Sequence, residues 1–333
     1  MTTALETRFL NFLHALPGAE SLDVLLGNVE FDGERRADFL LFGRNAILEV
    51  KSLEVDPYPK VEAEMERHRE RDDFPIIYGE VELQKVLRHM PDGEQINQRI
   101  FNRVTRSVED ATRSAEDQIA NTARILNLNE SAGVLVLLNE SIDVLTPEVI
   151  ASRVGMLLRR KAEDGNYRSP IAFAWLLFEG HITTSGQATK TLPTVVLEGP
   201  RASTFDGFSE RLTYLQLAWA QYNGRPLLKT ENATFDDLKV KAASSISEPR
   251  VDNKITRQQL WEIQYRSDPY LRLLSDTDVS HHGRAAVEQL TPYFLVGGPK
   301  ASGAEMESMM KTWCDFLCEA RYRGLDLRRL REA

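Results

Sequence analysis

The sequence predicts an α/β fold: a mixed central sheet flanked by helices, with a mainly helical C-terminal region after it. Three observations carry this expectation. Up to about residue 200, short apolar segments bounded by turn residues alternate with segments of helical period. The run Ile171-Ala-Phe-Ala-Trp-Leu-Leu-Phe178 is apolar on both faces, as a strand inside a covered sheet is. Beyond Gly199 helical patterns dominate, over Phe208–Tyr222, Thr256–Tyr265 and Glu305–Arg323, broken by the Ser-rich stretch Ala242–Arg250.

Taken in order, the first element is an amphipathic helix. Leu5, Phe9, Phe12, Leu13 and Leu16 recur at helical spacing, and Pro17-Gly18 ends the pattern. Three strands are predicted next, Leu22–Phe31, Arg36–Phe42 and Ala46–Lys51, separated by Asp32-Gly33 and by Gly43-Arg44-Asn45. A charged insertion follows at about residues 52–107, and its polar majority places it on the surface. A helix over Val108–Leu126 presents the inner stripe Val108, Ala111, Ala115, Ile119, Thr122 and Leu126. Then come a strand at Gly133–Leu138, a helix with Thr146 as N-cap and Pro147 in its first turn, and the strand Ile171–Phe178. That order predicts a parallel pair joined by a right-handed crossover. Thr191–Leu197 is one further strand candidate. The chain so divides into an α/β core over residues 1–200, carrying the insertion, and a mainly helical region over 201–333.

At 333 residues the chain suits one elaborated domain or two. No apolar run reaches the roughly 18 residues of a membrane span. The segment Met1–Glu6 shows no basic region leading into an apolar one, and the two cysteines, Cys314 and Cys318, exclude a disulfide framework. The expected location is the cytoplasm. A net charge of −9 argues against a protein wholly devoted to coating nucleic acid, whose affinity comes from Lys and Arg. It leaves room for an enzyme with a local basic groove and an acidic metal site.

Candidate chemistry gathers on the second and third strands. With Gly43-Arg44 as a two-residue type II′ loop, Phe42 pairs with Asn45 and Asp38 falls opposite Glu49. Lys51, two residues on, shares their face. The other face then carries Ala37, Phe39, Leu41, Ala46, Leu48 and Val50, and a one-residue slip destroys that apolar alternation. A three-residue loop including Asn45 is the alternative. Two neighbouring carboxylates repel unless a cation separates them. A hard divalent ion such as Mg²⁺ suits oxygen ligands, and an ammonium beside it can orient or help deprotonate a bound water. Asp, then Glu-x-Lys, is a compact set for phosphodiester hydrolysis.

Arg36-Ala-Asp38 with Leu48-Glu49-Val50-Lys51 resembles the PD-(D/E)xK, or restriction-endonuclease-like, superfamily in its ExK form. The predicted order of helix, three strands, helix and strand also resembles that family's core, over roughly Met1–Phe178. The resemblance implies a metal-dependent nuclease, an endonuclease-type hydrolase of nucleic acid with DNA the favoured substrate. Mg²⁺ is the implied cofactor, with Mn²⁺ able to substitute. Asp38, Glu49 and the Val50 carbonyl are the implied metal ligands, and Lys51 acts on the nucleophilic water. Two further positions match by place. Glu6 lies on the first helix near Phe9, Leu10 and Leu13, where many members carry another acidic ligand. Gln118 lies beside the inner stripe of the helix after the hairpin, where several branches carry a glutamine. Ala37 stands where the family's proline is usual, and the insertion separates Lys51 from the helix of Gln118. Restriction, repair or anti-phage defence is the setting the resemblance implies.

Each feature also has a structural reading. For Asp38, Glu49 and Lys51 it is a cross-strand ion pair on a sheet face, worth at most about 1 kcal/mol. Glu6 reads equally as a helix-boundary glutamate. Arg99, Arg103 and Arg106 recur at i, i+4 and i+7 over Glu94–Arg106, one helix face suited to holding phosphates or to solvation alone. Cys314 and Cys318 read as small apolar residues of a buried helix face rather than half a metal site, and His281-His282 stands too isolated to complete one. Trp261, Tyr265 and Tyr270 read as core aromatics ahead of base-stacking platforms. Two other function classes stay open: a non-catalytic nucleic-acid-binding or regulatory protein, and a subunit of a larger complex that is inactive alone. A homo-oligomer is open as well.

Overall fold

Every residue from Ala46 to Val50 is buried, although the sequence there alternates between apolar and polar after Ile47. Helices cover both faces of the sheet to which this strand belongs, and that arrangement sets the character of the site. The computed structural model describes residues 4–27, 35–69, 71–76, 83–185, 189–228, 240–242, 256–295 and 298–330. In chain order its elements are α1 (Leu5–Ala15), β1 (Glu20–Ser21), α2 (Leu22–Leu26), β2 (Phe39–Leu41), β3 (Ala46–Ser52), α3 (Tyr58–Arg69), α4 (Leu83–Leu87) and α5 (Gly93–Val104). They continue as α6 (Arg106–Ile125), β4 (Ala132–Asn139), α7 (Pro147–Leu158), β5 (Ile171–Phe178), β6 (His181–Ser185), β7 (Thr189–Thr191) and β8 (Thr194–Glu198). The last are α8 (Phe208–Tyr222), β9 (Val240–Ala242), α9 (Arg257–Ser267), α10 (Asp276–Phe294) and α11 (Gly303–Arg323). Contacts divide the chain into two compact units, Met1–Lys60 with Asn102–Glu248, and Val61–Phe101 with Pro249–Ala333.

The first unit holds a mixed sheet which, among the described residues, runs β1-β2-β3-β4-β5-β8. Neighbours β3, β4 and β5 are parallel, and the remaining pairs are antiparallel. On one face Phe39, Leu41, Leu48, Val50, Phe173 and Trp175 pack against α1 and α8. There the Phe9 ring meets Trp175 and Trp219 edge-on, with centroids 5.5 and 5.0 Å apart. This is the favoured geometry for aromatic pairs. On the other face α6 lies against β3. Thr146 caps α7 as expected, its hydroxyl accepting the Val149 N–H at 3.3 Å. Arg160 of the loop after α7 bonds Glu116 of α6 at 2.7 Å, and Arg153 of α7 bonds Glu109 of α6.

The hairpin register is the predicted one. Phe39, Leu40 and Leu41 pair with Leu48, Ile47 and Ala46, and extending the count places Asp38 opposite Glu49. The turn differs in type. Gly43 and Arg44 both have positive φ, +64° and +68°, which makes it I′-like rather than II′. Glycine adopts that region freely; Arg44 is held there while its guanidinium bonds Glu20 at 2.7 Å.

Three other expectations are corrected. The strand predicted over Leu22–Phe31 is a helix, α2, across Leu22–Leu26, and only Glu20–Ser21 pairs with β2; residues 28–34 lie outside the described residues. The strand predicted over Thr191–Leu197 is split, because Pro193 lacks an N–H for a ladder, so β7 ends at Thr191 and β8 starts at Thr194. The insertion is not confined to the surface: Leu87, Met90, Ile96 and Ile100 are buried. Most of the Ser-rich stretch, from residue 243 on, lies outside the described residues.

The second unit joins most of that insertion to the C-terminal helices. Its core is built from Tyr265, Leu271, Val279, Phe316, Ala320 and Leu325. Backbone and side-chain bonds stitch the two sequence segments together: Leu327 N–H to Ile76 O at 2.8 Å, and Lys85 Nζ to Tyr322 O at 2.6 Å. The boundary at residue 200 read from the sequence does not coincide with this division, since Phe208, Leu212, Leu215 and Trp219 of α8 belong to the core of the first unit. No helix among the described residues is long and apolar enough to cross a membrane.

Close approach at the start of β4 sets the distance between the sheet and α6. A Cβ at Gly133 would lie 2.5 Å from the Pro170 carbonyl oxygen and 2.9 Å from Ile119 Cγ2. Gly133→Ala is therefore expected to destabilise the fold by about 1–3 kcal/mol, as overpacking does. The urea midpoint measures this, and an unchanged midpoint would contradict the close packing of α6 on the sheet.

Candidate active site

Glu49 owes its position to strand alternation. Its neighbours Leu48 and Val50 point into the α1–α8 core, so its own side chain points beneath α6, where it is 1% exposed. Its Oε1 meets Lys51 Nζ at 2.6 Å. Its Oε2 is buried and meets no N–H or hydroxyl donor among the described residues, and its carboxyl lies close enough to Asp38 for the two to share a hydrogen bond when one of them is protonated. Asp38 precedes β2, is half-buried, and accepts the Val50 N–H on Oδ2 at 2.8 Å. The N–H and C=O of one strand residue face the same neighbour, so the Val50 carbonyl is directed to the Asp38 edge too.

A polar row on α6 completes the arrangement. Ser114, Gln118 and Thr122 stand at i, i+4 and i+8 on a helix face. Gln118 Oε1 accepts from Lys51 Nζ at 2.5 Å and from Ser114 Oγ at 3.0 Å, while its Nε2 donates to the Arg36 carbonyl at 2.7 Å. Lysine can only donate and a carbonyl can only accept, so one orientation of the amide satisfies both. Thr122 Oγ1 takes the Ala37 N–H at 2.8 Å. These bonds absorb the backbone groups of residues 36 and 37 that no ladder uses, and they fix Asp38 beside Glu49.

The electrostatics follow from two acids and one base in a covered place. Burial, reinforced by the charge of Asp38, pushes the Glu49 carboxyl up to about 8 against the pull of Lys51. Burial also raises Asp38, partly offset by the Val50 N–H and by Lys51. At neutral pH the pair retains a proton, and a divalent cation can take that proton's place. The buried Glu49 Oε2, together with the Asp38 carboxylate, supplies the hard oxygen donors such a cation requires, so these residues fit the ion. When bound, the ion would supply positive charge toward a phosphate and a more acidic water.

The structure thus brings together Asp38, Glu49, Lys51 and Gln118 from the residues singled out in the sequence. Glu6 lies half-buried on α1 and forms no hydrogen bond or ion pair with them. Among the described residues no group of three or more His, Cys, Asp or Glu side chains converges, so the acidic set here is Asp38 and Glu49. Arg99, Arg103 and Arg106 do not share one helix. Helix α5 stops at Val104, Thr105 intervenes with φ −88° and ψ 7°, and Arg106 opens α6, where it pairs with Asp110 at 3.2 Å. Cys314 and Cys318 are thiols that burial pushes up, Cys314 to about 12. Tyr265 is buried against Glu319, whereas Tyr270 is exposed and bonded to Asp315. Ser114 was not foreseen as part of the site; its place one turn before Gln118 is the signal that could have found it.

No protein-family model, curated protein or solved structure matches this chain.

The raised Glu49 carboxyl fixes a pH dependence. In the unfolded chain it ionises near 4.5 and in the fold near 8, so between these values the unfolded state releases a proton that the fold retains. Stability therefore falls as pH rises through that window. In EDTA, wild-type protein is expected to lose urea resistance between pH 4.5 and 8 more steeply than Glu49→Gln, and saturating Mg²⁺ should remove the difference. Equal slopes would mean that Glu49 is already ionised in the fold at neutral pH.

Proposed function

We propose that this chain is a divalent-metal-dependent nuclease that hydrolyses phosphodiester bonds, with DNA as its substrate and Mg²⁺ as its cofactor, Mn²⁺ substituting. The observation that carries the reading is the buried pair of acids, Asp38 and Glu49, which share one lysine and retain a proton at the place a divalent cation would take. As a purely structural ion pair the set is a poor one. Replacing buried pairs by apolar residues often stabilises proteins by about 1–4 kcal/mol. Perturbed carboxylates beside an ammonium are what a hydrolytic site uses.

In this reading Asp38, Glu49 and the Val50 carbonyl would hold the ion. Lys51 would hold the attacking water by a hydrogen bond and offset negative charge growing on the phosphoryl oxygens. Gln118 is a positioning residue: it fixes the Lys51 ammonium and, through the Arg36 carbonyl, the approach to Asp38. Arg103 and Arg106 hold phosphates without reading bases. Arg106 lies twelve residues before Gln118 on α6, about 18 Å along a helix axis. It would meet the strand about five phosphates from the one being cut. Restriction, repair or anti-phage defence is the setting such an enzyme fits.

Nicking and linearisation of plasmid DNA test this. Glu49→Gln and Lys51→Ala are expected to lower turnover at least about 100-fold at normal folded yield, and Gln118→Ala by about 10–100-fold. The glutamine variant is chosen because Glu49 is buried, so that truncation would open a cavity. Wild-type turnover in Lys51→Ala would overturn the assignment. Binding without cleavage in Mg²⁺ and Mn²⁺ would favour the non-catalytic reading, and cleavage only with added cell extract the complex-subunit reading.

The phosphate contacts are tested separately. Arg103→Ala is expected to weaken binding equally on unrelated sequences and to lower the slope of log affinity against log salt by about one. An unchanged slope would remove Arg103 from the interface.

A further inference from the structure

Helices α9 and α11 pack against each other in the second unit, yet they leave between them a cavity of about 960 Å³. That volume is at the upper end of the roughly 300–1,000 Å³ usual for small-molecule sites. Trp261 and Tyr265, one turn apart on α9, face it together with Trp313, Leu317 and Arg321 of α11. The walls combine two chemistries. Trp261 and Trp313 bring indole rings to it, Trp313 being stacked on one side against Phe316 with centroids 5.2 Å apart. Lys85, Arg266, Arg272 and Arg321 bring four cations against the one carboxylate of Glu262.

These groups are already layered. The Arg272 guanidinium lies 3.8 Å from the Tyr322 ring centroid, and the Lys85 ammonium lies 5.3 Å from it. Neighbouring carboxylates answer part of the charge: Arg266 reaches Glu262 at 3.7 Å, and Arg272 reaches the buried Glu319 at 3.4 Å. Arg321 is exposed and forms no side-chain hydrogen bond or ion pair among the described residues. A surplus of positive charge in a concave, low-dielectric wall concentrates anions. An apolar ligand would strip water from the guanidiniums without replacing it, and a metal ion or amine would be repelled. A planar ring carrying several negative charges satisfies both walls, by stacking on the indoles and by bidentate bonds to the guanidiniums.

We propose that this cavity binds a free nucleoside di- or triphosphate, its base stacked against Trp261 and Trp313 and its phosphates on Arg321, Arg272 and Lys85. The site lies wholly within the second unit and does not rest on the nuclease reading. Calorimetric titration of the full chain with ATP in EDTA, which removes any metal-held binding at Asp38 and Glu49, tests it. Saturable binding with a Kd of about 1–100 μM is expected, with adenosine and inorganic triphosphate each at least about tenfold weaker. Arg321→Glu and Trp261→Ala should each weaken ATP at least about tenfold, and Lys51→Ala should leave it unchanged. Because Arg321 is exposed in the last turn of α11, its variant should lose only the small helix-dipole contribution of that charge and stay folded, which the melting curve checks. Absence of binding at about 1 mM ATP would overturn the proposal. So would ATP affinity unaffected by both variants, or tighter competition from a single-stranded oligonucleotide.

Discussion

An acidic pair and a lysine have to fit beneath a helix, in a place where the sheet is otherwise apolar. Leu40 and Ile47, on the same face as Glu49, are fully buried. Removing each charge from water costs several kcal/mol even after relaxation. The protein meets that cost with specific partners: Lys51 for one Glu49 oxygen, the Val50 N–H for Asp38, and Gln118 for Lys51. The balance is incomplete, since two acids share one base and the pair must retain a proton at neutral pH. That residual deficit is the physical reason to place a cation there, and the local architecture serves to maintain it.

Helix α6 is the means by which it is maintained. Its apolar residues Val108, Ala115 and Ile119 are buried, while Gln118 and Thr122 hold the backbone leading into β2. Arg153 and Arg160 anchor the helix to α7 and the loop beyond it, through Glu109 and Glu116. The helix is therefore fixed from two sides. A shift of α6 would release Lys51 and uncover Glu49 together, which couples the packing of the first unit to the chemistry proposed for it.

Strand alternation made the heart of this legible from sequence. Phe39, Leu41, Leu48 and Val50 admit one register, and that register puts Asp38, Glu49 and Lys51 on one face whatever the turn type. What sequence spacing could not convey was depth. The same alternation suits a half-exposed sheet, and only α6, returning from more than fifty residues away, buries Glu49. Leu22–Leu26 could be read as strand because a five-residue segment, four apolar residues and Asp23, carries too little period to distinguish strand from helix. The insertion hid its burial differently. Ile96 and Ile100 are one turn apart in a charged background, too few apolar positions to mark a buried face.

Anomalous diffraction from crystals grown with Mn²⁺ tests most directly whether Asp38 and Glu49 would hold a divalent cation. One strong peak beside these two carboxylates is the expected result. An empty site at saturating Mn²⁺, with Glu49 still bound to Lys51, would contradict the cation site.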